Sequence, residues 1–256
     1  MQVKTEMNLD LSGKTALVSG GARGIGASVA RSLGAAGAKV VVNYNKSAEK
    51  AEKLRDELRC EGIEAEIFQA DVSDAAQVER LFQFIKSSVG QLDILVNNAG
   101  LIRDTLLLTM TVSDWEKVHD VNLRGAFLMT RMAAEMMVPR HCGKIINISS
   151  VSAIRGGRGQ TNYASSKGGL IAFTRACAVE LAPKGVQVNA VLPGFIETEM
   201  SVRTMRRAGE AILDRIPAHR LGSPQDVANI VLFLASAMSE YVTGQAIPVD
   251  GGLSVS

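Results

Sequence analysis

The stretch GQTNYASSKGGLIAF, residues 159–173, places Tyr163 four residues before Lys167, and the chain has only three tyrosines. Positions four apart on a helix share one face. The ammonium of Lys167 would then favour the phenolate of Tyr163 and lower the pKa of that phenol. An unperturbed tyrosine titrates near ~10 and exchanges protons poorly at neutral pH. The pair could therefore take part in chemistry, and the alternative is an ordinary surface pair.

The elements that would position this pair alternate between short apolar runs and longer helical stretches. Short strands that are apolar throughout and separated by helices are typical of a parallel sheet covered on both faces. We therefore predict an α/β fold: a single-domain, Rossmann-type, doubly wound parallel sheet of about seven strands over residues 1–256. The predicted strands are 14–20, 39–44, 64–72, 92–100, 143–150, 186–194 and 244–252, and the predicted helices are 24–38, 47–62, 74–90, 113–138, 161–183 and 223–236.

Composition narrows the class of protein. Apolar residues make up 46% of the 256, enough for a substantial core, and a formal net charge of +2 gives no reason to expect a nucleic-acid partner. The three cysteines are widely spaced without a CxxC pair, which argues against a disulfide frame or a metal site. No apolar run approaches the roughly 20 residues that a membrane span needs. We expect a cytoplasmic protein.

A glycine-rich turn, VSGGARGIG at residues 18–26, follows the first predicted strand and opens the first helix. Glycines let the backbone approach a phosphate closely, and the helix N-terminus offers unpaired N–H groups to it. The spacing Gly20-x-x-x-Gly24-x-Gly26 differs from the G-x-G-x-x-G dinucleotide pattern. A nucleotide phosphate site is one interpretation, and a plain strand–helix turn is the other.

The end of the second strand discriminates between nicotinamide cofactors. Sites for NAD usually carry an acidic residue there to bind the ribose 2′-OH. Residues 43–47 read NYNKS and contain no acid, while Arg23 and Lys46 could neutralise a 2′-phosphate. The charge pattern favours NADP(H). The alternative is that Lys46 is a solvated charge and Arg23 only caps the turn.

Residues 195–222 interrupt the alternation of strands and helices with a polar, basic segment. Insertions at the C-terminal edge of such a sheet commonly cover a ligand crevice. We predict that 195–222 is a substrate-side lid, with a surface helix pair as the alternative.

Five motifs in order resemble the short-chain dehydrogenase/reductase family, from about residue 10 to 253. They are SGGARGIG at 19–26, NNAG at 97–100, ISS at 148–150, YASSK at 163–167 and LPG at 192–194. Within that family, the stretches NNAGLIRDTLLLTMTVSDW, PGFIETEM and YVTGQAIPVDGG are most similar to bacterial 3-oxoacyl-[acyl-carrier-protein] reductases. The resemblance implies NADPH-dependent reduction of a 3-oxoacyl thioester to a 3-hydroxyacyl thioester. Acetoacetyl-CoA, polyketide or other ketone substrates remain alternatives, as does a non-catalytic NADP-binding scaffold.

The resemblance also implies the roles of four residues in the reaction. Tyr163 would be the proton donor and Lys167 its partner, which also holds the nicotinamide ribose. Ser150 would bind the substrate carbonyl, with Ser149 and Ser152 as competing candidates. Asn122, in DVNLRG, would hold a water that relays protons through Lys167.

Cofactor contacts follow from the same resemblance. The pyrophosphate would lie against Gly20, Arg23, Gly24, Ile25 and Gly26, the adenosine ribose against Asn43 and Tyr44, and the adenine against Asp71 and Val72. The second ribose would lie by Asn98, Ala99 and Gly100. The nicotinamide end would meet Tyr163, Lys167, Pro193, Gly194, Ile196 and Thr198. For Asp71, a helix cap is the competing interpretation.

Partners are implied as well. An acidic acyl carrier protein would dock on basic residues near the active-site mouth, for which Arg140, Lys144 and Lys184 are candidates. His141 stands where the reductases often have arginine, which leaves room for a CoA substrate. The helices at 113–138 and 161–183 would pair across subunits in a homotetramer. No role in catalysis falls to His119, His141 or His219, and Trp115 is predicted to serve packing.

Overall fold

The computed structural model describes residues 9–198 and 209–256. Within them, seven parallel strands form one sheet in the order β3-β2-β1-β4-β5-β6-β7. The predicted doubly wound parallel sheet is therefore confirmed. The strand order reverses direction beside β1, so the crevice between β1 and β4 is the topological switch point where such folds bind ligands. The strands are β1 Thr15–Val18, β2 Lys39–Tyr44, β3 Ala65–Gln69, β4 Ile94–Asn97, β5 Gly143–Ile148, β6 Val186–Pro193 and β7 Ala246–Val249.

Helices cover both faces of the sheet, because alternate strand residues point to opposite sides. In β1, Ala16 and Val18 join the core under one set of helices, and Leu17 joins the core on the opposite face. Helices α1, α2 and α8 cover the first face, and α3, α5 and α7 cover the second. The helices are α1 Gly24–Ala35, α2 Ala48–Cys60, α3 Ala75–Phe84, α4 Val112–His119, α5 Gly125–Met137, α6 Ser152–Arg155, α7 Thr161–Leu181 and α8 Pro224–Ala235.

The predicted continuous helix over 113–138 is interrupted. A π-helical turn, Asp120–Arg124, separates α4 from α5, and Asn122 in the middle of this turn is 1% exposed. Single π turns inside α-helices occur frequently at functional sites, because the extra residue turns a side chain out of the regular helical register. The amphipathic pattern of the helix does not reveal such an insertion.

The two ends of the predicted lid meet at the sheet edge. Ile196 and Gly222 form a parallel bridge, with Glu197 N donating to Gly222 O at 2.7 Å. A 3₁₀ helix, Gly209–Arg215, returns toward the sheet, and residues 199–208 of the prediction lie outside the described part of the chain. Ile212 and Ile216 are buried in a small core with Leu192. The returning half of the segment is thus packed against the end of β6.

No helix in the described ranges is long and apolar enough to cross a membrane.

Candidate active site

The predicted site residues lie at or after the carboxyl ends of β1 to β6, which meet at one edge of a parallel sheet. A Cβ built on Gly100 would lie 3.6 Å from Asn122 Oδ1 and 3.7 Å from Lys167 Nζ. A Cβ built on Gly24 would lie 3.5 Å from Thr198 Cγ2. Residues far apart in sequence thus surround one crevice at the switch point.

Lys167 is a buried cation, 3% exposed, on the second turn of α7. Its Nζ donates a hydrogen bond to Ile148 O at 2.7 Å and lies 5.9 Å from the centroid of the Tyr163 ring. Burial disfavours the charged form and lowers the pKa of Lys167 to about 8. With this pKa, the ammonium is mostly charged at neutral pH and loses its proton just above it.

The pKa of Tyr163 is raised above its ordinary value. Exclusion of water from the phenol is the largest cause, the carboxylate of Asp104 adds to it, and a hydrogen bond with the Ser150 side chain acts in the opposite direction. The net shift is opposite to the lowering predicted from sequence, because desolvation outweighs the hydrogen bond with Ser150. The phenol remains protonated, which suits a proton donor.

Of the three candidate serines, the structure brings Ser150 to Tyr163. Ser149 is buried, and its hydroxyl donates to Lys167 O at 2.8 Å. The hydroxyl of Ser152 donates to Gln160 Oε1 at 3.1 Å. Both hydroxyl protons are thus engaged within the protein, whereas Ser150 faces the phenol.

Asn122 connects three segments through its side chain. Its Oδ1 accepts from Leu101 N at 2.7 Å, and its Nδ2 donates to Leu101 O at 3.1 Å and to Ser166 Oγ at 3.0 Å. The hydroxyl of Ser166 in turn donates to Tyr163 O at 2.8 Å. The side chain of Asn122 is therefore committed to holding the segment after β4 against the start of α7.

The glycine turn leaves no room for side chains. Gly20 and Gly24 have φ values of 61° and 54°, in the left-handed region that favours glycine. A Cβ on Gly26 would lie 2.5 Å from Asn98 Nδ2 and 2.6 Å from Gly20 O. Ser19 Oγ accepts from the N–H groups of Asn98 and Ala99 at 3.0 and 3.1 Å. The turn is thereby fixed against NNAG, with the start of α1 open to an anion.

At the adenosine ribose corner, Asn43 is 1% exposed and serves the fold. Its Oδ1 accepts from Gly20 N at 3.4 Å, and its Nδ2 donates to Ala70 O at 2.9 Å. These contacts give Asn43 a role in shaping the turn, and its predicted contact with a cofactor stays a prediction. Tyr44 is partly buried, and Lys46 and Arg23 are exposed.

Asp71 organises the loop after β3 and does not cap α3. Its Oδ1 accepts from Ser73 N at 2.9 Å, and its Oδ2 accepts from Asn45 Nδ2 at 2.9 Å. The N-cap of α3 is Asp74, which accepts from the main-chain N–H groups of residues 76 and 77. Val72 is buried against Gly125, where an added Cβ would lie 2.8 Å from Val72 Cγ2.

The segment after β6 presents main-chain groups to the crevice. The Ile196–Gly222 bridge uses Glu197 N and Phe195 O, so the N–H and C=O of Ile196 itself point to the other side. A Cβ on Gly194 would lie 2.7 Å from Asp250 Cβ, which explains the glycine after Pro193. This segment lies beside the glycine turn, since a Cβ on Gly24 would lie 3.5 Å from Thr198 Cγ2, and its predicted contact with a nicotinamide cofactor stays a prediction.

The structure places the predicted docking residues at the edge of the sheet away from Tyr163. Arg140, Lys144 and Lys184 precede or flank the amino ends of β5 and β6, at the edge of the sheet opposite Tyr163. Arg140 pairs with Asp93, a carboxylate 2% exposed. Within one chain these residues therefore lie away from Tyr163, and their docking of a carrier protein stays a prediction. Spacing along the sequence did not show which end of each strand they occupy.

The three histidines and Trp115 make contacts that do not involve Tyr163, among them His119 Nε2 at 3.1 Å from Ser165 Oγ. His119 stacks on Trp115 with ring centroids 4.3 Å apart, and His119 Nδ1 lies 2.9 Å from Trp115 O. His141 and His219 have φ values of 50° and 49° in loops. None of them reaches Tyr163 through a contact seen in the described residues.

Sequence reasoning missed several polar residues that tie the catalytic segments together. Asn162 is fully buried, and its Nδ2 donates to Arg103 O at 3.0 Å. Ser166 and Gln160 make the bridging contacts described above. The sequence signal for these residues was a group of polar side chains close to Tyr163, just before the apolar run GLIAF at 169–173.

Known proteins resemble this chain over nearly its whole length. A family model described as Enoyl-(Acyl carrier protein) reductase matches residues 20–254. A 3-oxoacyl-[acyl-carrier-protein] reductase of Aquifex aeolicus (strain VF5) is 43% identical over 96% of this chain and 100% of the relative. One from Synechocystis sp. (strain ATCC 27184 / PCC 6803 / Kazusa) is 46% identical over 95% of this chain and 98% of the relative.

Solved structures agree with these relatives. A short-chain type dehydrogenase/reductase from Mycobacterium marinum matches with a TM-score of 0.93 at 34% identity, covering 97% of this chain and 98% of that one. A gluconate 5-dehydrogenase from Burkholderia cenocepacia J2315, in complex with NADP and tartrate, matches with a TM-score of 0.92 at 37% identity and the same coverage. With the Tyr163–Lys167 pair, Ser150 and the glycine turn at one sheet edge, the chain belongs to the short-chain dehydrogenase/reductase family of nicotinamide-dependent oxidoreductases.

Proposed function

We propose that this chain reduces 3-oxoacyl thioesters, carried by an acyl carrier protein, to 3-hydroxyacyl thioesters in fatty acid or polyketide-type biosynthesis. The observation that carries the proposal is the convergence of Ser150, Tyr163 and Lys167 beside the glycine turn. The relatives at 43% and 46% identity named for this reaction support the choice of substrate.

Each residue near the ketone oxygen of the substrate has its own role in the proposed reaction. The nicotinamide ring, when bound, supplies a hydride to the carbonyl carbon. The hydroxyl of Ser150 donates a hydrogen bond to the carbonyl oxygen and stabilises the negative charge that develops there. Tyr163, kept protonated by its surroundings, transfers its proton to that oxygen. Lys167 lies close enough to stabilise the resulting phenolate. Asn122 holds the segment after β4 in place.

The cofactor that fits this chain best is NADP(H). The corner after β2, residues 43–47, carries no carboxylate to repel a 2′-phosphate, and Lys46 and Arg23 offer positive charge at that corner. The complex of the Burkholderia cenocepacia relative with NADP supports this preference.

Residues 195–222 act as a lid over the substrate in this proposal. The Ile196–Gly222 bridge anchors both ends of the lid next to the nicotinamide side of the crevice. Burial of Ile212 and Ile216 beside Leu192 supports a fixed return path. Arg206 and Arg207, which add positive charge to the sequence of the lid, lie outside the described residues.

The proposed assembly is a homotetramer. Large apolar side chains are exposed on the helices that the family resemblance places between subunits: Phe127 on α5 is 45% exposed and Val179 on α7 is 79% exposed. Near the C-terminus, Tyr241 is fully exposed. Covering these side chains with a second copy would remove apolar surface from water.

The test is NADPH oxidation with acetoacetyl-carrier protein and acetoacetyl-CoA, beside NADH. We expect faster turnover with NADPH and with the carrier-protein substrate.

A Tyr163→Phe variant should still bind NADPH, by fluorescence titration, while its turnover falls at least about 100-fold. Crotonoyl-CoA and 5-ketogluconate test the activities that the family description and the Burkholderia cenocepacia relative name. Turnover of either of these, without thioester ketone reduction, would overturn the proposal.

A further inference from the structure

A chain of hydrogen bonds leads from the surface to the proposed catalytic serine. Gln160 Nε2 donates to Asp104 Oδ2 at 3.0 Å, and Gln160 Oε1 accepts from Ser152 Oγ at 3.1 Å. Ser152 N donates to Ser150 Oγ at 3.1 Å. This relay, Asp104–Gln160–Ser152–Ser150, joins the segment after β4, the start of α7 and the segment after β5.

The relay has a fixed polarity, because a carboxylate only accepts hydrogen bonds. Asp104 therefore selects the amide nitrogen of Gln160, and the amide oxygen must face Ser152. The single hydroxyl proton of Ser152 then goes to Gln160, which holds Ser152 in place. The main-chain N–H of Ser152, positioned in this way, donates to Ser150 Oγ. The hydroxyl proton of Ser150 is left for a group in the crevice.

The surrounding main chain holds the relay in place. Thr105 N donates to Gly159 O at 2.9 Å, directly beside Asp104 and Gln160. Asn162 Nδ2 donates to Arg103 O at 3.0 Å on the other flank. The two residues that set the polarity are thus bracketed by contacts between the same two segments, which lowers the entropic cost of keeping the relay formed.

We propose that Gln160 and Asp104 are positioning residues that keep the hydroxyl proton of Ser150 directed at the ketone oxygen of the substrate. They act through Ser152, to which Gln160 is hydrogen-bonded. The inference rests on the proposed function, since it deepens the role given there to Ser150. It predicts effects on kcat with little change in cofactor binding, because the relay lies apart from the glycine turn.

The decisive test exchanges the two ends of the relay. In Gln160→Glu, two carboxylates face each other and neither can donate, so we expect kcat to fall at least about 10-fold. In the double variant Asp104→Asn with Gln160→Glu, the new amide donates to the new carboxylate, whose second oxygen still accepts from Ser152. The net charge of the pair is that of the wild type. We expect kcat to return to within about 3-fold of the wild type.

Controls separate positioning from general damage. Thr109→Ala removes an exposed hydroxyl whose hydrogen bonds, among the described residues, go to Thr105 and Leu106 on the same loop, and it should leave kcat unchanged. The Kd for NADPH and the melting temperature are measured for every variant. Should Gln160→Glu fail to fold, Gln160→Met removes both polar contacts without adding charge and should show the same loss of kcat.

Two outcomes would overturn the inference: full kcat in Gln160→Glu or Gln160→Met, or no recovery in a folded double variant. Failure of the proposed function looks different, since the wild type itself would then reduce no 3-oxoacyl thioester. The same variants would in that case be compared on whichever ketone the wild type reduces, because the role of Ser150 does not depend on the acyl carrier.

Discussion

At the scale of single residues, burial controls the acid–base properties of the site more than pairwise contact does. Lys167 makes one hydrogen bond, to Ile148 O, and its pKa still falls to about 8. The phenol of Tyr163 is shifted upward for the same reason, with the Ser150 contact as a partial offset. Both groups are thus driven toward their neutral forms.

This burial predicts a pH-dependent cost in stability. The folded pKa of Lys167, about 8, lies below the unfolded value of about 10.4, so the unfolded chain binds the extra proton. Burial of the Lys167 ammonium therefore lowers the free energy of unfolding by its full amount below pH ~8, and this loss disappears as the pH rises to ~10. Urea unfolding of the protein without cofactor should show Lys167→Met gaining stability over wild type at pH 7, by about 2–3 kcal/mol, with the gain shrinking by pH 10. A gain that stays constant with pH would contradict the assigned cause.

At the scale of elements, the two edges of the sheet differ in function. The proposed catalytic groups lie at the carboxyl ends of the strands. A group of polar contacts around Asp93, here called the polar lock, lies at the amino ends. In that lock, Asp93 accepts from Thr15 N at 2.8 Å and from Gln91 Nε2 at 3.1 Å, and it pairs with Arg140. The lock joins β1, β4 and the end of α5, so Arg140 serves the fold.

Removing Arg140 should therefore cost stability and spare catalysis. In Arg140→Ala, the carboxylate of Asp93, which is 2% exposed, loses its cationic partner, and we expect a loss of about 1–3 kcal/mol in unfolding free energy. The kcat with acetoacetyl-CoA should stay unchanged. Lys184→Ala is the matched control, since its exposed ammonium should contribute no more than about 0.5 kcal/mol. Normal stability with selective loss of activity on the carrier-protein substrate would instead restore a docking role for Arg140.

At the scale of the whole molecule, the apolar surface of α5 and α7 marks the proposed subunit contact. Phe127 packs edge-on against Phe173 with ring centroids 6.4 Å apart, which joins the two helices into one apolar face. This face lies opposite the face covered by α1, α2 and α8.

Sedimentation equilibrium should find particles of four 27.2 kDa chains. Phe127→Glu places a charge in the proposed contact, so we expect smaller particles. Lys53→Glu, a charge reversal on an exposed side chain of α2, is the control and should remain tetrameric. A wild-type monomer, or a Phe127→Glu tetramer of unchanged stability, would contradict the assembly.

The sequence by itself determined the strands, their order of alternation with helices, and the positions of the motif residues. These features depend on local hydrophobic periodicity and on residue types at short spacing, such as Tyr163 with Lys167 or the glycines of residues 20–26. The doubly wound sheet follows from them because few topologies accommodate alternating strands and helices.

Only the tertiary structure decided which groups meet and what their surroundings do to them. The π turn at Asn122, the relay through Gln160, the buried role of Asn43 and the placement of Arg140 at the opposite edge all depend on contacts between distant segments. The sequence predicted a lowered pKa for Tyr163, and the structure raises it for the same reason. Desolvation is a property of the packed surroundings, and one helix considered alone does not contain it.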